Sequence, residues 1–448
     1  MTKSIRALKS RRSNQPSFRH SDFGIPSPLD IRHSAQAFNV ATNWQQTPCY
    51  NTALMSNLFG EQLQALRAHS LYRRLREIGS AQGVNVDLVG KRLVNFSSND
   101  YLGLANDPRL REAAITTMEK FGFGAGASRL ISGTQSPHLR LENALAKWKE
   151  TEAALCFSSG YAAALGTIPA LLTKTDVVLL DKLCHASLID GAKLSGAILR
   201  VFPHNHLGKL ESQLEWARRE HPQARILIVT ESIFSMDGDR APLRELVELK
   251  RRFKALLLLD EAHAIGVIGP NGRGLAAEEN LGHDVDVQMG TLSKALGGMG
   301  GYICGSRNLI EWLINRARSF VFSTAPPPAL AGAALAAVDF LNSPEGEERR
   351  QLLWRNVQTL RNQLPRQSAD KKTRDSAGAI LPWIVGDEEA AMDLSRALIN
   401  EGFLVPAIRY PTVGKGLARL RITVTASHES AQIEALCGAL RCLADSKP

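Results

Sequence analysis

Five short apolar runs, separated by helical stretches, limit the folds open to this chain more than any other feature. The runs are Ala154–Phe157, Val177–Leu180, Ile198–Phe202, Arg225–Thr230 and Ala255–Leu259. Four consecutive leucines at 256–259 show no polar alternation, so both faces of that strand must be covered. Helical patterns at Leu207–Arg219 and Leu243–Phe253 lie between such runs. The sequence therefore predicts an α/β fold with a mostly parallel sheet between layers of helices.

The chain divides into four predicted parts around this central region. They are a flexible basic extension at 1–54, an N-terminal helix and arm at 55–100, a large domain at 101–343 and a smaller α+β domain at 344–448. In the second part, apolar residues recur at helical spacing from Leu58 to Ile78, which predicts an amphipathic helix. In the last part, Ala379–Val385 and Leu417–Thr425 are the strand candidates.

Positive charge is concentrated near the N-terminus. The 448 residues hold 54 Lys and Arg against 44 Asp and Glu, a formal net charge of +10. Residues 1–54 contribute seven basic and only two acidic side chains. A basic tail on a mildly basic body is a weak pattern for a dedicated nucleic-acid-binding protein, so we expect no nucleic acid partner. A transit peptide for organelle import and a true start at Met55 are the alternatives for this segment.

Cysteine spacing and the length of apolar runs exclude further classes. The six cysteines contain no CxxC pair, so we expect reduced thiols and no metal site. The longest apolar run, Ala329–Val338, is shorter than the ~18–20 residues that a membrane-spanning helix needs. We therefore expect a cytoplasmic protein without a membrane span.

Two segments carry the clearest chemistry. Asp260 directly follows the leucine strand, and the carboxyl ends of parallel strands line a ligand crevice. A carboxylate buried there needs a partner such as a protonated ring nitrogen on a cofactor, although a strand-end Asp can also cap the next helix.

Lys294 lies among small residues and glycines, where enclosure would free its amine for Schiff-base chemistry; a solvated lysine is the alternative. No GxxxxGKS/T occurs, so an NTPase is not expected.

Two other strand ends predict ligand contacts. Residues 159–161 (SGY) follow an apolar run and open a helical stretch, where N–H groups and hydroxyls suit a phosphate; an ordinary serine cap is the alternative. His185 follows the next strand and would either lie flat on an aromatic ring or hydrogen-bond within the core. Residues 272–277 fit the loose dinucleotide pattern GxGxxA, but a strand and a helix do not flank them tightly, so no dinucleotide site is expected.

The order and spacing of these motifs resemble those of the α-oxoamine synthases, a family of fold-type I pyridoxal-phosphate (PLP) enzymes. The matching motifs are residues 95–104 (NFSSNDYLGL), 159–161 (SGY), 181–185 (DKLCH), 231–239 (ESIFSMDGD), 260–263 (DEAH), 291–294 (TLSK) and 418–423 (ARLRIT). The resemblance spans about Leu58 to the C-terminus. It implies a fold-type I transferase with a smaller C-terminal domain, PLP as the cofactor, and a homodimer with a shared active site.

The resemblance also implies a role for each matching residue. Lys294 would hold the cofactor covalently, Asp260 would pair with its pyridine nitrogen, and His263 would pair with its ring hydroxyl. The other implied cofactor contacts are His185 against the ring, Ser235 beside it, and Gly160, Tyr161 and Thr291 at the phosphate. Implied substrate contacts are Arg73, His185 and Thr412, with Asn99 and Arg421 at the amino acid's carboxylate. Lys294, His185 and Asp260 would be the catalytic residues.

The implied reaction is the decarboxylative condensation of an amino acid with an acyl thioester. Residues 406–413 (PAIRYPTV) are most similar to the members that join L-alanine to a pimeloyl group, on CoA or a carrier protein, in biotin synthesis. Tyr410 departs from the usual Arg-Pro-Pro-Thr run and is shared with members that use glycine. Sister reactions of glycine with acetyl-CoA, of serine with a long acyl-CoA, or of another acyl-CoA-dependent synthase are therefore alternatives. A non-catalytic PLP-binding regulator is a remote alternative.

Overall fold

This computed structural model describes residues 52–68, 71–364 and 376–445. Most of the predicted basic extension, residues 1–51, lies outside these ranges. Helix α1 spans Thr52–Ala68 and belongs to a unit separate from the rest of the chain. Within the described ranges, no helix combines the length and the apolar character that a membrane span requires.

The strands of the described residues have the following bounds. They are β1 (Asn85–Leu88), β2 (Lys91–Asn95), β3 (Ala153–Phe157), β4 (Val177–Asp181), β5 (Ile198–Phe202), β6 (Ile226–Glu231), β7 (Leu256–Asp260), β8 (Val287–Thr291), β9 (Gly301–Gly305), β10 (Ile380–Gly386), β11 (Phe403–Leu404), β12 (Ala407–Ile408) and β13 (Ala418–Thr423). Each strand predicted from an apolar run is present within two residues of its predicted ends.

The helices after α1 cover both faces of the sheet and the C-terminal region. They are α2 (Pro108–Phe121), α3 (Ser136–Trp148), α4 (Gly160–Leu171), α5 (Ala186–Ser195), α6 (Leu207–Glu220), α7 (Leu243–Arg252), α8 (Leu275–Glu278), α9 (Arg307–Arg316), α10 (Arg318–Val321), α11 (Pro328–Leu341), α12 (Pro344–Gln363), α13 (Glu388–Asn400) and α14 (Ser430–Asp445). The two helices predicted between strands, α6 and α7, are both present.

A seven-stranded sheet in the order β3-β9-β8-β7-β6-β4-β5 forms the centre of the larger unit. The pairs from β8 through β7, β6 and β4 to β5 are parallel, and β9 alone runs antiparallel to its neighbours β3 and β8. The predicted mostly parallel sheet is therefore confirmed. Parallel strands end at the same edge, so the residues that follow β4, β6, β7 and β8 are brought together.

The leucine strand shows why this sheet needs helices on both faces. Leu257 and Leu259 pack with α6 and α7 in one apolar cluster, whereas Leu258 packs with α4, α5 and α9 in another. All three side chains are fully buried. Because successive strand residues point to opposite faces, a run without alternation requires two covering layers, as the sequence predicts.

A smaller antiparallel sheet, in the order β10-β13-β12, forms the C-terminal part. A third sheet joins β1 and β2 to β11, so the C-terminal region is tied to the segment that precedes α2. Strand β13 carries Arg419 and Arg421, which both contact the loop after β6. This contact places the C-terminal sheet against the carboxyl edge of the central sheet.

The predicted helix from Leu58 to Ile78 is wrong in its second half. Helix α1 ends at Ala68, and residues 71–77 have no regular secondary structure. Ile78 instead forms a β-bridge with Leu88, and the N–H of Val89 donates to the carbonyl of Glu77. Ile78 also packs on the apolar cluster of β1, β2 and β11, so tertiary contacts favour an extended chain over the local helical pattern.

Candidate active site

The carboxyl edge of the central sheet encloses a cavity of about 240 Å³. Seven of the residues predicted from the sequence line it, namely Gly160, Tyr161, His185, Asp260, His263, Thr291 and Lys294. They come from the loops that follow β3, β4, β7 and β8. The topology therefore brings together residues that are up to 134 positions apart in the chain.

Lys294 lies in a tight loop between β8 and β9. The N–H of Leu292 donates to the carbonyl of Gly300, and the N–H of Gly297 donates to the carbonyl of Lys294. Gly297 has φ of 69°, and a Cβ at this position would lie 2.5 Å from the backbone carbon of Leu104. Only glycine fits both the positive φ and the close approach, which explains the glycine-rich sequence after the lysine.

Two acidic side chains lie side by side at the ends of β6 and β7. Glu231 and Asp260 are register partners in adjacent parallel strands, and both are buried. Burial raises the pKa of Asp260, and burial together with the Asp260 charge raises the pKa of Glu231 to about 8. One oxygen of Asp260 accepts the N–H of Ala262 at 2.9 Å, and the other has no hydrogen-bond partner among the described residues.

Glu231 is a site residue to which the sequence motifs gave no role of its own. Its carboxylate lines the cavity and accepts the backbone N–H of His185 at 2.5 Å. The signal that could have revealed it is its position, since Glu231 ends β6 just as Asp260 ends β7. Glu231 therefore lies at the ligand-binding edge of the sheet for the same topological reason as Asp260.

The amine of Lys294 contacts His263 directly. Its Nζ lies 2.7 Å from Nε2 of His263, and Nδ1 of His263 lies 2.6 Å from the hydroxyl of Tyr101. Burial lowers the pKa of Lys294 to about 8, against the opposing charges of Asp260 and Glu231. Burial and the Lys294 charge hold the pKa of His263 well below its usual value, so the imidazole is neutral.

His185 is the N-cap residue of α5 and lies at the mouth of the cavity. Its Nδ1 lies 2.8 Å from the hydroxyl of Ser187 and accepts the N–H of that residue. The residue is exposed to solvent, although desolvation by the surrounding protein lowers the pKa of the imidazole. These bonds orient the ring at the cavity without filling it.

The N-terminus of α4 supplies another part of the cavity lining. Ser159 caps the helix, because its hydroxyl accepts the N–H of Ala162 at 3.0 Å and its carbonyl accepts the N–H of Ala163. The N–H groups of Gly160 and Tyr161 come earlier in the same first turn and have no intrahelical acceptor. The hydroxyl of Thr291 lies 3.6 Å from the position of a Cβ on Gly160, so both loops meet here. This end of the cavity can bind an anion.

Five of the residues to which the family resemblance gives a role do not line the cavity, namely Ser235, Asn99, Arg421, Arg73 and Thr412. The carbonyl of Ser235 accepts Nε of Arg421 at 2.7 Å, and Arg421 also donates to Oδ1 of Asn99 at 3.1 Å. Arg73 lies in the extended segment after α1 rather than in a helix, and its side chain is exposed. Thr412 is exposed in a turn after β12, where its N–H donates to the carbonyl of Arg409.

Comparison with known proteins assigns this arrangement to a family. The model of the family described as aminotransferase class I and II matches residues 91–440. The chain belongs to the aminotransferase class I and II family. Within this family of PLP enzymes it is an acyl-transferring α-oxoamine synthase, because its relatives and structural neighbours are members of that group.

The curated relatives agree with one another. The chain is 49% identical over 387 residues to an 8-amino-7-oxononanoate synthase of Geobacter sulfurreducens, which covers 86% of this chain and 97% of the relative. It is 46% identical over 389 residues to the enzyme of the same name from Anaeromyxobacter dehalogenans. This alignment covers 87% of this chain and 96% of the relative.

Solved structures share the fold. A serine palmitoyltransferase from S. paucimobilis, solved with a PLP–myriocin adduct, matches this chain with a TM-score of 0.82 and 30% sequence identity. The match covers 88% of this chain and 98% of the palmitoyltransferase chain. An 8-amino-7-oxononanoate synthase from Francisella tularensis matches with a TM-score of 0.66 and 28% sequence identity. That match covers 79% of this chain and 97% of the Francisella chain. These neighbours confirm the predicted fold-type I architecture and PLP as the cofactor.

Proposed function

We propose that this chain condenses L-alanine with a pimeloyl thioester, giving 8-amino-7-oxononanoate, CO2 and the free thiol in biotin synthesis. The observation that carries the proposal is the single cavity shared by the amine of Lys294 and the carboxylate of Asp260. Relatives named 8-amino-7-oxononanoate synthase support this choice of substrates.

The groups around the cavity fit PLP. One oxygen of Asp260 has no partner among the described residues, and its burial favours a group that carries a proton, such as a pyridine nitrogen. The N–H groups of Gly160 and Tyr161, which lack intrahelical acceptors, suit the phosphate. The remaining assignments are Lys294 as the covalent attachment point, Thr291 at the phosphate, His263 at the ring hydroxyl, and Ser235 and His185 beside the ring. Bound PLP supplies an electron sink for a carbanion at the substrate Cα.

Lys294 moves the proton in this proposal. With a pKa lowered to about 8, its amine is partly neutral near that pH and can take the Cα proton of alanine as a general base. In the cofactor-free protein the Lys294 amine lies 2.7 Å from Nε2 of His263, so it is already held inside the cavity. Loss of CO2 after acyl transfer needs a proton at the same carbon, and Lys294 is placed to return it.

The amino acid carboxylate is assigned to Arg421 and Asn99. Arg421 is buried, and the carbonyl of Ser235 and the side chain of Asn99 hold its guanidinium in place. A fixed guanidinium matches a carboxylate in shape and charge. His185 at the cavity mouth, and Arg73 and Thr412 on exposed segments, are assigned to substrate from the family motifs.

A sister reaction is the second candidate function. The serine palmitoyltransferase has a higher TM-score than the Francisella synthase, 0.82 against 0.66. Tyr410 also departs from the usual motif of the alanine-using enzymes. Serine with a long acyl-CoA, or glycine with acetyl-CoA, would then replace alanine and the pimeloyl thioester.

We further infer a cytoplasmic homodimer with a shared active site. Phe123, Ile131 and Phe322 are 71–81% exposed, which is unusual for large apolar side chains. A β-bridge between Ser128 and Thr324 joins the segments that carry Ile131 and Phe322. A second copy of the chain would cover this surface, and light scattering of the purified protein tests the expected mass of two chains.

The direct test supplies the purified PLP-loaded protein with amino acid and thioester pairs. L-alanine with pimeloyl-CoA, or with a pimeloyl-carrier protein, should give 8-amino-7-oxononanoate by mass spectrometry with stoichiometric thiol release. Glycine with acetyl-CoA and serine with palmitoyl-CoA are run in parallel, and Lys294→Ala is the inactive control. Faster turnover of either parallel pair would replace the proposed function by the second candidate.

A further inference from the structure

A buried chain of hydrogen bonds leads from Arg421 to Lys294. Arg421 donates to Oδ1 of Asn99, and the hydroxyl of Tyr101 lies 3.4 Å from the same oxygen. The Tyr101 hydroxyl is also 2.6 Å from Nδ1 of His263, whose Nε2 is 2.7 Å from Nζ of Lys294. Tyr101 is only 1% exposed and His263 5%, so these two groups bond to each other rather than to solvent.

The two ends of this chain fix the direction of its hydrogen bonds. Arg421 can only donate, so Oδ1 of Asn99 is an acceptor and can accept from Tyr101 as well. At the other end, the protonated amine of Lys294 can only donate, so Nε2 of His263 must accept. His263 is neutral, because burial and neighbouring positive charges keep its pKa well below the usual value. A neutral imidazole that accepts at Nε2 carries its proton on Nδ1 and donates it to the Tyr101 oxygen.

We propose that Tyr101 is a positioning residue for His263: in the cofactor-free protein its hydroxyl holds the imidazole with Nδ1 protonated, which leaves Nε2 as the acceptor for Lys294. This inference deepens the proposed function, on which its relevance to turnover rests. A hydroxyl both donates and accepts, so Tyr101 can also donate to Nδ1 of an imidazole that carries its proton on Nε2. That second arrangement is the one His263 needs in order to donate to the ring hydroxyl of a bound cofactor.

Burial keeps Tyr101 suited to this role. It raises the pKa of the phenol against the opposing charge of Arg421, so the hydroxyl keeps its proton. Tyr302 is an internal control, because it is 0% exposed and its hydroxyl has no hydrogen-bond partner among the described residues. Both Tyr→Phe changes remove one buried oxygen, but only the change at Tyr101 removes a partner of His263.

The test reads the tautomer of His263 directly. NMR spectra of protein with ¹⁵N-labelled histidine are recorded without cofactor at about pH 6.5, where Lys294 is cationic, and again after loading with PLP. The signals that are missing from His263→Asn belong to His263. We expect Nδ1–H before loading and Nε2–H afterwards. Tyr101→Phe should broaden or shift both signals, while Tyr302→Phe should leave them unchanged. His263 with Nε2 protonated in the cofactor-free wild type, or identical His263 signals in Tyr101→Phe, would overturn the proposal.

Kinetics give a second readout. Tyr101→Phe should lower kcat about tenfold, the effect of one buried hydrogen bond, with the KM for amino acid within about twofold. Equal losses in Tyr101→Phe and Tyr302→Phe would indicate a general packing effect and contradict a positioning role. The tautomer measurement uses no substrate, so it stands even if alanine and pimeloyl-CoA give no product. A failed condensation would count against the proposed function alone.

Discussion

Nζ of Lys294 lies 2.7 Å from Nε2 of His263, although the two residues are 31 positions apart and belong to loops after different strands. The contact exists because β7 and β8 are adjacent and parallel, so that the loops after them leave the same edge of the sheet. Asp260 ends one of these strands and lines the same cavity. The family motifs at 260–263 and 291–294 thus form one site.

Replacing Asp260 by Asn should slow carbanion formation without unfolding the protein. The amide is isosteric with the carboxylate but cannot keep a pyridine nitrogen protonated. We expect the exchange of the alanine Cα proton in D₂O, followed by NMR, to fall about 10²–10³-fold, as when a preorganised electrostatic contact is lost. Asp393→Asn, on an exposed side chain of α13, is the matched control. An unchanged exchange rate in Asp260→Asn would refute the assigned role.

The capture of PLP by cofactor-free protein should speed up as the pH rises. Only the neutral amine attacks an aldehyde, and burial lowers the pKa of Lys294 to about 8, so the rate should rise through about pH 8. Glu231→Gln removes a negative charge that favours the ammonium, which should move this rise to lower pH. Stopped-flow absorbance over a pH series measures both profiles. A rise only near the ordinary lysine pKa would contradict the enclosed amine.

His204 should make stability depend on pH above neutrality. Its ring bonds Asp181 at 3.0 Å and Asp239 at 2.7 Å, stacks edge-on against Phe234, and lies 3.4 Å from Asn205. Despite its partial burial, the two carboxylates raise the pKa of His204 to about 9. Because the pKa of His204 is higher in the folded than in the unfolded chain, the interaction of its imidazolium with the two carboxylates stabilises the fold fully below about pH 6.5. This contribution to the free energy of unfolding is lost as the pH rises through about 9.

Urea unfolding at a series of pH values checks this dependence. His204→Gln should remove it, while His283→Gln, on an exposed ring, should retain it. If wild type and His204→Gln lost stability equally between neutral pH and about pH 9, the two carboxylates would not act through His204.

Gly297 and Gly438 should respond oppositely to alanine. At Gly297 the positive φ and the nearby Leu104 backbone leave no room for a Cβ, so Gly297→Ala should destabilise by about 1–3 kcal/mol. Gly438 lies in α14, and apart from its chain neighbours and the nearby backbone of its own helix no atom lies within 4 Å of the position that an alanine methyl would take, so Gly438→Ala should stabilise by about 0.5–1 kcal/mol. Thermal unfolding measures both variants, and a tolerated alanine at 297 would show that the lysine loop has another conformation.

Much of the fold follows from local patterns in the sequence. The leucines at 257–259 required two covering layers, and the structure places them in two apolar clusters. The helix predicted to reach Ile78 was wrong because the bridge to Leu88, 10 positions away, outweighs the helical spacing. Such pairings depend on tertiary contacts that a periodicity within one segment does not contain.

The site residues that follow the ends of parallel strands could be predicted from the sequence. Asp260 and Lys294 follow strands, and the parallel sheet brings them together. Glu231 follows the same rule and begins the motif at 231–239, but the resemblance assigns that residue no role, so the sequence analysis does not single it out. The contacts among Tyr101, His263 and Asn99 depend on how the segment after β2 crosses the sheet edge, which no local pattern reveals.

The most direct measurement of the central claim locates the residue that binds PLP. The loaded protein is reduced with borohydride, digested and mapped by mass spectrometry, with Lys294→Ala and the exposed Lys209→Ala treated in the same way. We predict that a pyridoxyl group is found on Lys294 in the wild type and in Lys209→Ala, and that Lys294→Ala carries none. A pyridoxyl group on a different lysine of the wild type, or equal labelling of Lys294→Ala, would contradict the account.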